Sequence, residues 1–430
     1  MNQLDPVLII GGGLTGVATF YELVARNVPA VLLESQADVA HGTSYANGGV
    51  LHPSLPDPWN NPRIGPDLLT SVFNPRAAMK LHLSQLPSLF GWGLDFLRNS
   101  VRSRHLAITE ANFELAHYST RQTDALRQFL GLQYDAAAPG TLKIFRTPAD
   151  RDAALQLAER LAALGLVCRE LDRPALQKLE PALAKADDRI IGALHFPDDR
   201  VGDARLFCRE LAAHAVAKGG ELRCGQTVES LLVEHGRVVG VRLGDEELRG
   251  RVVICAGVAA RQLVAPLGVK LPIRPAKGYS MTLDASQLTG TTLTHPIVDA
   301  GLHIAVTPLA DKLRVLGMAE FIGMDTNIDP MRTTLLRQFF EQLLPDIAAQ
   351  LNWEEAENWS GLRPMSSDGR PFIGAAGVEG LWLNCGHGHL GWTKAVGSAR
   401  VVSDQMIGRR PEINAAPFSF SADERSGIFN

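Results

Sequence analysis

A chain of 430 residues, 46% hydrophobic and 20% charged, has material for more than one packed core and none of the compositional signs of disorder. Its formal net charge of −4 provides no basic field to gather phosphates, which argues against a nucleic-acid partner. The 5 cysteines are odd in number, widely spaced and never arranged as CxxC, so neither a disulfide framework nor a zinc site is expected and a reducing cytoplasm is the natural setting.

In chain order, Val7 to Ile10 reads as a strand running into glycines, Val17 to Ala25 as a helix, and Ala30 to Leu33 as a second strand closed by Glu34, which together make a βαβ opening. From Thr43 to Pro66 the Gly, Pro, Asn and Ser content predicts an extended loop. Leu86, Leu89, Phe90, Leu94 and Leu97 recur at helical spacing, as do the apolar residues from Ala153 to Leu164, with a strand expected from Gly140 to Phe145 between them. A helix over Leu206 to Lys218 precedes β-rich runs at Val228–Val233, Val238–Leu243 and Val252–Cys255, turned at Gly236 and Gly244. Strands are expected again between Ile273 and Glu320, then a helix from Thr333 to Leu344. This order predicts an α/β protein with two domains on a discontinuous chain.

The run VLIIGGGLTG sets Gly11, Gly13 and Gly16 in a GxGxxG pattern, with Leu14 and Thr15 between, directly after a strand and at the mouth of a helix. These glycines permit a tight turn, close approach of a pyrophosphate and close helix packing, while the helix N-terminus faces the phosphate charge. Glu34, followed by Ser35, closes the second strand where a carboxylate accepts hydrogen bonds from ribose hydroxyls and repels a 2′-phosphate. A second glycine pattern, Gly386, Gly388 and Gly391, follows the Leu381–Asn384 run but has no later strand ending in an acid. It is read as a glycine loop whose amides and helix dipole suit the anionic side of a reduced flavin. His387 and His389 within it are open to proton transfer or plain packing, and no cluster at ligand spacing makes them a metal site. Arg363, in GLRPMSSDGRP, is either a carboxylate clamp or a surface residue.

Beyond these local patterns, the chain resembles the D-amino acid dehydrogenase small-subunit family, within the glycine oxidase and D-amino acid oxidase group of flavoproteins. The likeness runs almost end to end through SYANGGVL (Ser44 to Leu51) with Pro58 and Trp59, GTLKIFRT (Gly140 to Thr147), PAKGYSMT (Pro275 to Thr282), GMAE (Gly317 to Glu320), GLRPMSSDGRPFIG (Gly361 to Gly374) and LNCGHGHLGWT (Leu383 to Thr393). It implies non-covalent FAD in a Rossmann-like domain of the glutathione-reductase type, drawn from segments 1–60, 150–262 and 345–430. It also implies an α+β substrate domain with an antiparallel sheet, from 61–149 and 263–344. By the same likeness Thr43, Ser44, Asn47, Gly48 and Gly49 line the cofactor, Val228 meets the adenine, Ala256 and Gly257 close the pocket, and Gly386, His387, Gly388, Leu390, Gly391, Trp392 and Thr393 reach the flavin ring. Tyr279 and Arg363 face substrate, and His389, where the family often carries threonine, sits near it. Cys385 is a second departure from the family's threonine.

The expected reaction is oxidative deamination of a D-amino acid by hydride transfer from Cα to flavin N5, with electrons passed to a quinone or artificial dye. The alternatives are oxidation of a secondary amine such as D-hydroxyproline, proline or a glycine derivative, and a flavin-bearing electron-transfer subunit of a larger complex. The first apolar run meets glycine too soon for a signal peptide, and Leu81 to Leu94 is shorter than the roughly 20 residues that span a bilayer. Membrane contact is therefore expected to be peripheral, on the inner face of the cell membrane, through the stretch around Trp92, for which a core helix is the commoner reading.

Overall fold

The computed structural model describes residues 5–420 apart from 63, 66–70, 73 and 75. Pro66, where the expected loop ends, and the outermost ends of the expected cofactor segments lie outside the described residues.

The opening βαβ forms as expected: strand Val7–Ile10, helix Leu14–Ala25 and strand Ala30–Leu33. Both strands are wholly buried, which suits four-residue apolar runs covered on two faces of a parallel sheet. The sheet continues outward from them, with Glu221–Arg223 beyond Ala30–Leu33, and Arg251–Ile254 then Leu381–Cys385 beyond Val7–Ile10. Its last strand, Phe372–Ala375, runs antiparallel. Helices Leu14–Ala25, Ala204–Ala217 and Gly391–Met406 pack together over one face, and their apolar sides make one core with Val7, Ile9 and Leu32.

A second, nine-stranded sheet is mostly antiparallel and runs from Glu357–Ser366 through Ile273–Asp284, Lys312–Phe321, Ile304–Leu309, Ile297–Asp299, Thr141–Phe145 and Gly192–Phe196 to Arg169–Asp172. Met79–Leu81 is attached to Lys312–Phe321. Three of these strands, Arg169–Asp172, Gly192–Phe196 and Glu357–Ser366, come from segments assigned by resemblance to the cofactor domain. The chain thus crosses between the two sheets at later points than the resemblance implied, after Gly192–Phe196 rather than at 150 and after Glu357–Ser366 rather than at 345.

The 29-residue helix Arg102–Leu130 has no counterpart in the sequence reading. Thr109, Asn112, Ser119, Thr120 and Thr123 are buried on it, so its inner face carries much less apolar periodicity than a core helix normally shows. Close approach replaces hydrophobic patterning: Gly397 donates its amide to Ser119 Oγ at 2.9 Å, and a Cβ at Gly397 would stand 2.7 Å from that of Ser119.

Candidate active site

One cavity of about 1260 Å³ runs from the Gly11–Thr15 turn and Glu34, past Thr43–Gly48, to Arg363 and the Gly386–Thr393 loop. The glycine turn is forced at its first and last positions. Gly11 has φ +106°, and a Cβ on Gly16 would lie 1.7 Å from the Gly11 carbonyl oxygen. The middle glycine, outside the motif pattern, also matters: the Gly12 amide donates to Glu34 Oε2 at 2.6 Å, aiming the carboxylate along the mouth of the turn. Ser35 Oγ and the Gln36 amide donate to Glu34 Oε1. Val228, Ala256 and Gly257 line the same end, Gly257 with φ +54°.

The loop from Thr43 to Gly49 is pinned by the first helix on one side and the larger sheet on the other. Ser44 Oγ accepts the Leu14 amide at 3.2 Å, and Thr43 donates to the Leu362 carbonyl at 2.7 Å. Asn47 Oδ1 accepts the Gly49 amide, while Gly49 itself takes φ +68°. Three side chains from the larger sheet hold successive carbonyls: Ser280 that of Ala46 (2.9 Å), Arg314 that of Asn47 (3.2 Å) and Thr307 that of Gly48 (2.7 Å). None of the three was singled out from sequence, because each acts through a tertiary contact that local pattern does not encode.

At the far end, Arg363 lies across Gly278, where a Cβ would stand 2.2 Å from Nη1. Its Nη1 donates to the Met318 carbonyl at 3.0 Å, and Met318 takes a left-handed φ of +63°. The guanidinium sits 5.7 Å from the Trp59 ring centroid. Among the described residues no carboxylate pairs with it, and burial lowers its pKa to about 10, which leaves it charged at neutral pH. His389 stacks on Trp59 at 5.6 Å and 21°. Burial, then the neighbouring His52, Lys394 and Arg363, hold His389 well below the usual histidine range, so it is neutral.

His52 also lines this end. Its amide donates to Thr393 Oγ1, its Nδ1 is buried without a partner, and burial takes its pKa down to about 4. His387 lines the cavity with its ring bonded to Ser398 at 3.1 Å, and burial followed by Lys394 lowers its pKa to about 3. Tyr279 was expected to face substrate, but alternation along its strand puts its side chain on the opposite face of the sheet from Ser280 and Arg363, in the core with Leu336 and Phe340, where its hydroxyl donates to Glu320 at 2.6 Å within a buried group that includes Arg332 and Lys277. Leu390 is buried behind the loop, while Gly386, Gly388, Gly391, Trp392 and Thr393 border the cavity and Trp392 Nε1 has no partner. His52 and Trp59 follow or belong to the motif segments SYANGGVL and PW; their adjacency to Arg363 needs the fold.

A glycine turn with a terminal acid, a pinned loop and an unpaired arginine along one elongated cavity mark a flavin-dependent oxidoreductase. The chain belongs to the FAD dependent oxidoreductase family, which it matches over residues 6–405. It is 37% identical over 412 residues to the D-amino acid dehydrogenase of Paramagnetospirillum magneticum, covering 95% of this chain and 96% of that one. Its fold is that of glycine oxidase from Bacillus cereus (TM-score 0.74, 20% identity, 98% and 100% coverage) and L-proline dehydrogenase from P. horikoshii (TM-score 0.77, 16% identity, 97% of each chain).

Proposed function

We propose that the protein oxidises D-amino acids to 2-oxo acids and ammonia. The observation that carries this reading is Arg363: a charged guanidinium facing a cavity, with no carboxylate among the described residues to neutralise it, is a costly arrangement unless a ligand provides the anion. A substrate carboxylate fits it, and the planar fork fixes that carboxylate in two places. Bound FAD supplies the two-electron acceptor.

The chain's own task is orientation. Arg363 holds the carboxylate, Gly278 leaves room for the guanidinium, and the Met318 carbonyl fixes its rotation. His52 and His389, kept uncharged by burial, place no imidazolium beside the substrate amine, where it would repel an ammonium. Trp59 and His389 wall off water beside the reacting carbon. Loss of hydride from Cα and a proton from nitrogen gives an imino acid, and water then replaces nitrogen to release the 2-oxo acid and ammonia. The electrons pass on to a quinone or, in an assay, a dye.

The test is anaerobic mixing of the FAD-loaded protein with a panel of D- and L-amino acids, followed at the flavin absorbance. Rapid bleaching by D-amino acids, with a 2-oxo acid as product, is the expected result. Bleaching only by secondary amines, or by none of the panel, would overturn the reading.

A further inference from the structure

One buried amine takes no part in holding the substrate. Lys394 stands in the first turn of helix Gly391–Met406, directly after Trp392 and Thr393 of the cavity wall, and its side chain is fully buried. Its Nζ donates to Asn112 Oδ1 at 2.8 Å, and among the described residues no carboxylate forms an ion pair with it. The Asn112 amide is fixed in that orientation, because its Nδ2 donates to the carbonyls of Pro56 and Gly369. One neutral oxygen cannot offset an ammonium taken wholly out of water, and burial brings the pKa of Lys394 down to about 7.

The charged and titratable groups that face it come from several elements. Asp368, in the turn after strand Glu357–Ser366, attracts it but is itself paired with Arg370 at 2.8 Å. His52, from the segment after strand Val50–Leu51, and His387 and His389, from the loop before the helix, all feel its charge, which helps to keep them neutral. These three histidines line the cavity, so the field of a protonated Lys394 reaches into it. The Gly11–Glu34 end suits the pyrophosphate and ribose of FAD, which leaves the end bordered by Gly386–Thr393 to the flavin ring. Bound FAD accepts an electron pair there, and the ring gains a negative charge when a single proton follows the pair. Arg363 is matched by the substrate carboxylate, whereas Lys394 has no anion to meet until the electrons arrive.

We propose that Lys394 takes up a proton as the bound flavin is reduced, so that its ammonium offsets the negative charge brought by the electrons. The Nζ lone pair accepts that proton from solvent, no other bond of the side chain changes, and two protons then follow each electron pair in place of one. Linkage requires the converse: the protonated amine favours reduction by the same factor by which reduction favours the protonated amine. Any donor that reduces the flavin, substrate or not, should draw in this proton.

Midpoint potentials of the FAD-loaded full chain, measured against indicator dyes from pH 7.5 to 8.5, test it. In the wild-type protein the reduction equilibrium should move about a hundredfold per pH unit, a slope of about 59 mV, because two protons accompany two electrons. In Lys394→Met it should move only about tenfold, a slope of about 30 mV per pH unit. Should Lys394→Met fail to hold FAD, Asn112→Asp takes its place: a carboxylate beside Nζ keeps the ammonium in both redox states and should bring the slope to the same lower value. A one-proton slope in the wild type, or a variant slope as steep as that of the wild type, would overturn the proposal.

Discussion

At the Gly11–Glu34 end of the cavity the turn, its helix and the terminal carboxylate come from one short contiguous stretch, and most of the work falls to backbone. At the Arg363 end the wall is assembled from His52, Trp59, Arg363 and His389, drawn from distant parts of the chain. The first end tolerates almost no side chain at its glycines, whereas the second depends on which side chains meet. A backbone site is therefore broken by added volume, and a side-chain site by lost charge or shape.

The largest expected effect follows from the first half of that contrast. Gly16→Ala places a Cβ 1.7 Å from a carbonyl oxygen that cannot move without opening the turn, so little FAD-loaded protein should form. Gly13→Ala, whose Cβ would be 3.3 Å from a serine hydroxyl, should fold far better, although it stands where the pyrophosphate must approach. Equal yields of folded apoprotein from the two variants would contradict the geometry of the turn.

Next comes Arg363→Ala. Removing the cation that meets a buried carboxylate costs about 3–5 kcal/mol, more than about a hundredfold in kcat/KM for D-amino acids. Arg363→Lys should fall between, because it keeps the charge and loses the fork. The decarboxylated amine of the same substrate, where it turns over, should be nearly indifferent to either change. Proportional losses for acid and amine at full FAD content would make Arg363 structural.

This contrast also sets how far the fold and site were legible in sequence. The βαβ opening was readable almost residue for residue, since glycine spacing, strand length and the terminal acid are all local. The resemblance pointed to Arg363, but the residues that hold its guanidinium in place, Gly278 and the left-handed Met318, are intelligible only once strands Ile273–Asp284, Lys312–Phe321 and Glu357–Ser366 lie side by side. Tyr279 was expected to face substrate, but strand alternation turns its side chain into the core, where Glu320 takes its hydroxyl. The Leu86–Leu97 periodicity correctly marked a helix, yet most of those leucines are on the outer face and the inner one is held by Trp92 and Phe96. Periodicity reports the pitch of an element without saying which side is inside.

Glu34→Gln is a smaller test of the backbone end. The carboxylate is held by the Gly12 amide and directed at the turn, so loss of its charge should weaken FAD binding by about 1.5–3 kcal/mol. Substrate preference of the remaining holoenzyme should not change. Titration of the apoprotein with FAD checks the first, and the amino-acid panel the second; unaltered FAD affinity would remove Glu34 from the site.

The smallest effect joins the two ends through Lys394, in the first turn of the Gly391–Met406 helix. Its side chain is fully buried, and its ammonium donates to Asn112 Oδ1 at 2.8 Å, while Asn112 Nδ2 donates to the carbonyls of Pro56 and Gly369. No carboxylate pairs with it among the described residues; burial outweighs the attraction of Asp368 and lowers its pKa to about 7, from an ordinary value of 10.5. The positive end of the helix dipole works in the same direction. Between pH 7 and 10.5 the unfolded chain therefore binds a proton that the folded chain lacks. Stability from this group rises with pH through that window, by at most about 1.4 kcal/mol per pH unit, and is flat below it. Lys394→Met removes the slope. The stability of the variant relative to wild type, from urea unfolding with FAD in excess, should be highest at and below pH 7 and should decline steadily toward pH 9. Taking the difference cancels the other titrating groups, and the lost Asn112 bond shifts the whole curve without tilting it. A difference that stays constant from pH 6.5 to 9 would mean that Lys394 keeps its proton in the folded protein, and that a permanent buried cation stands behind His52, His387 and His389.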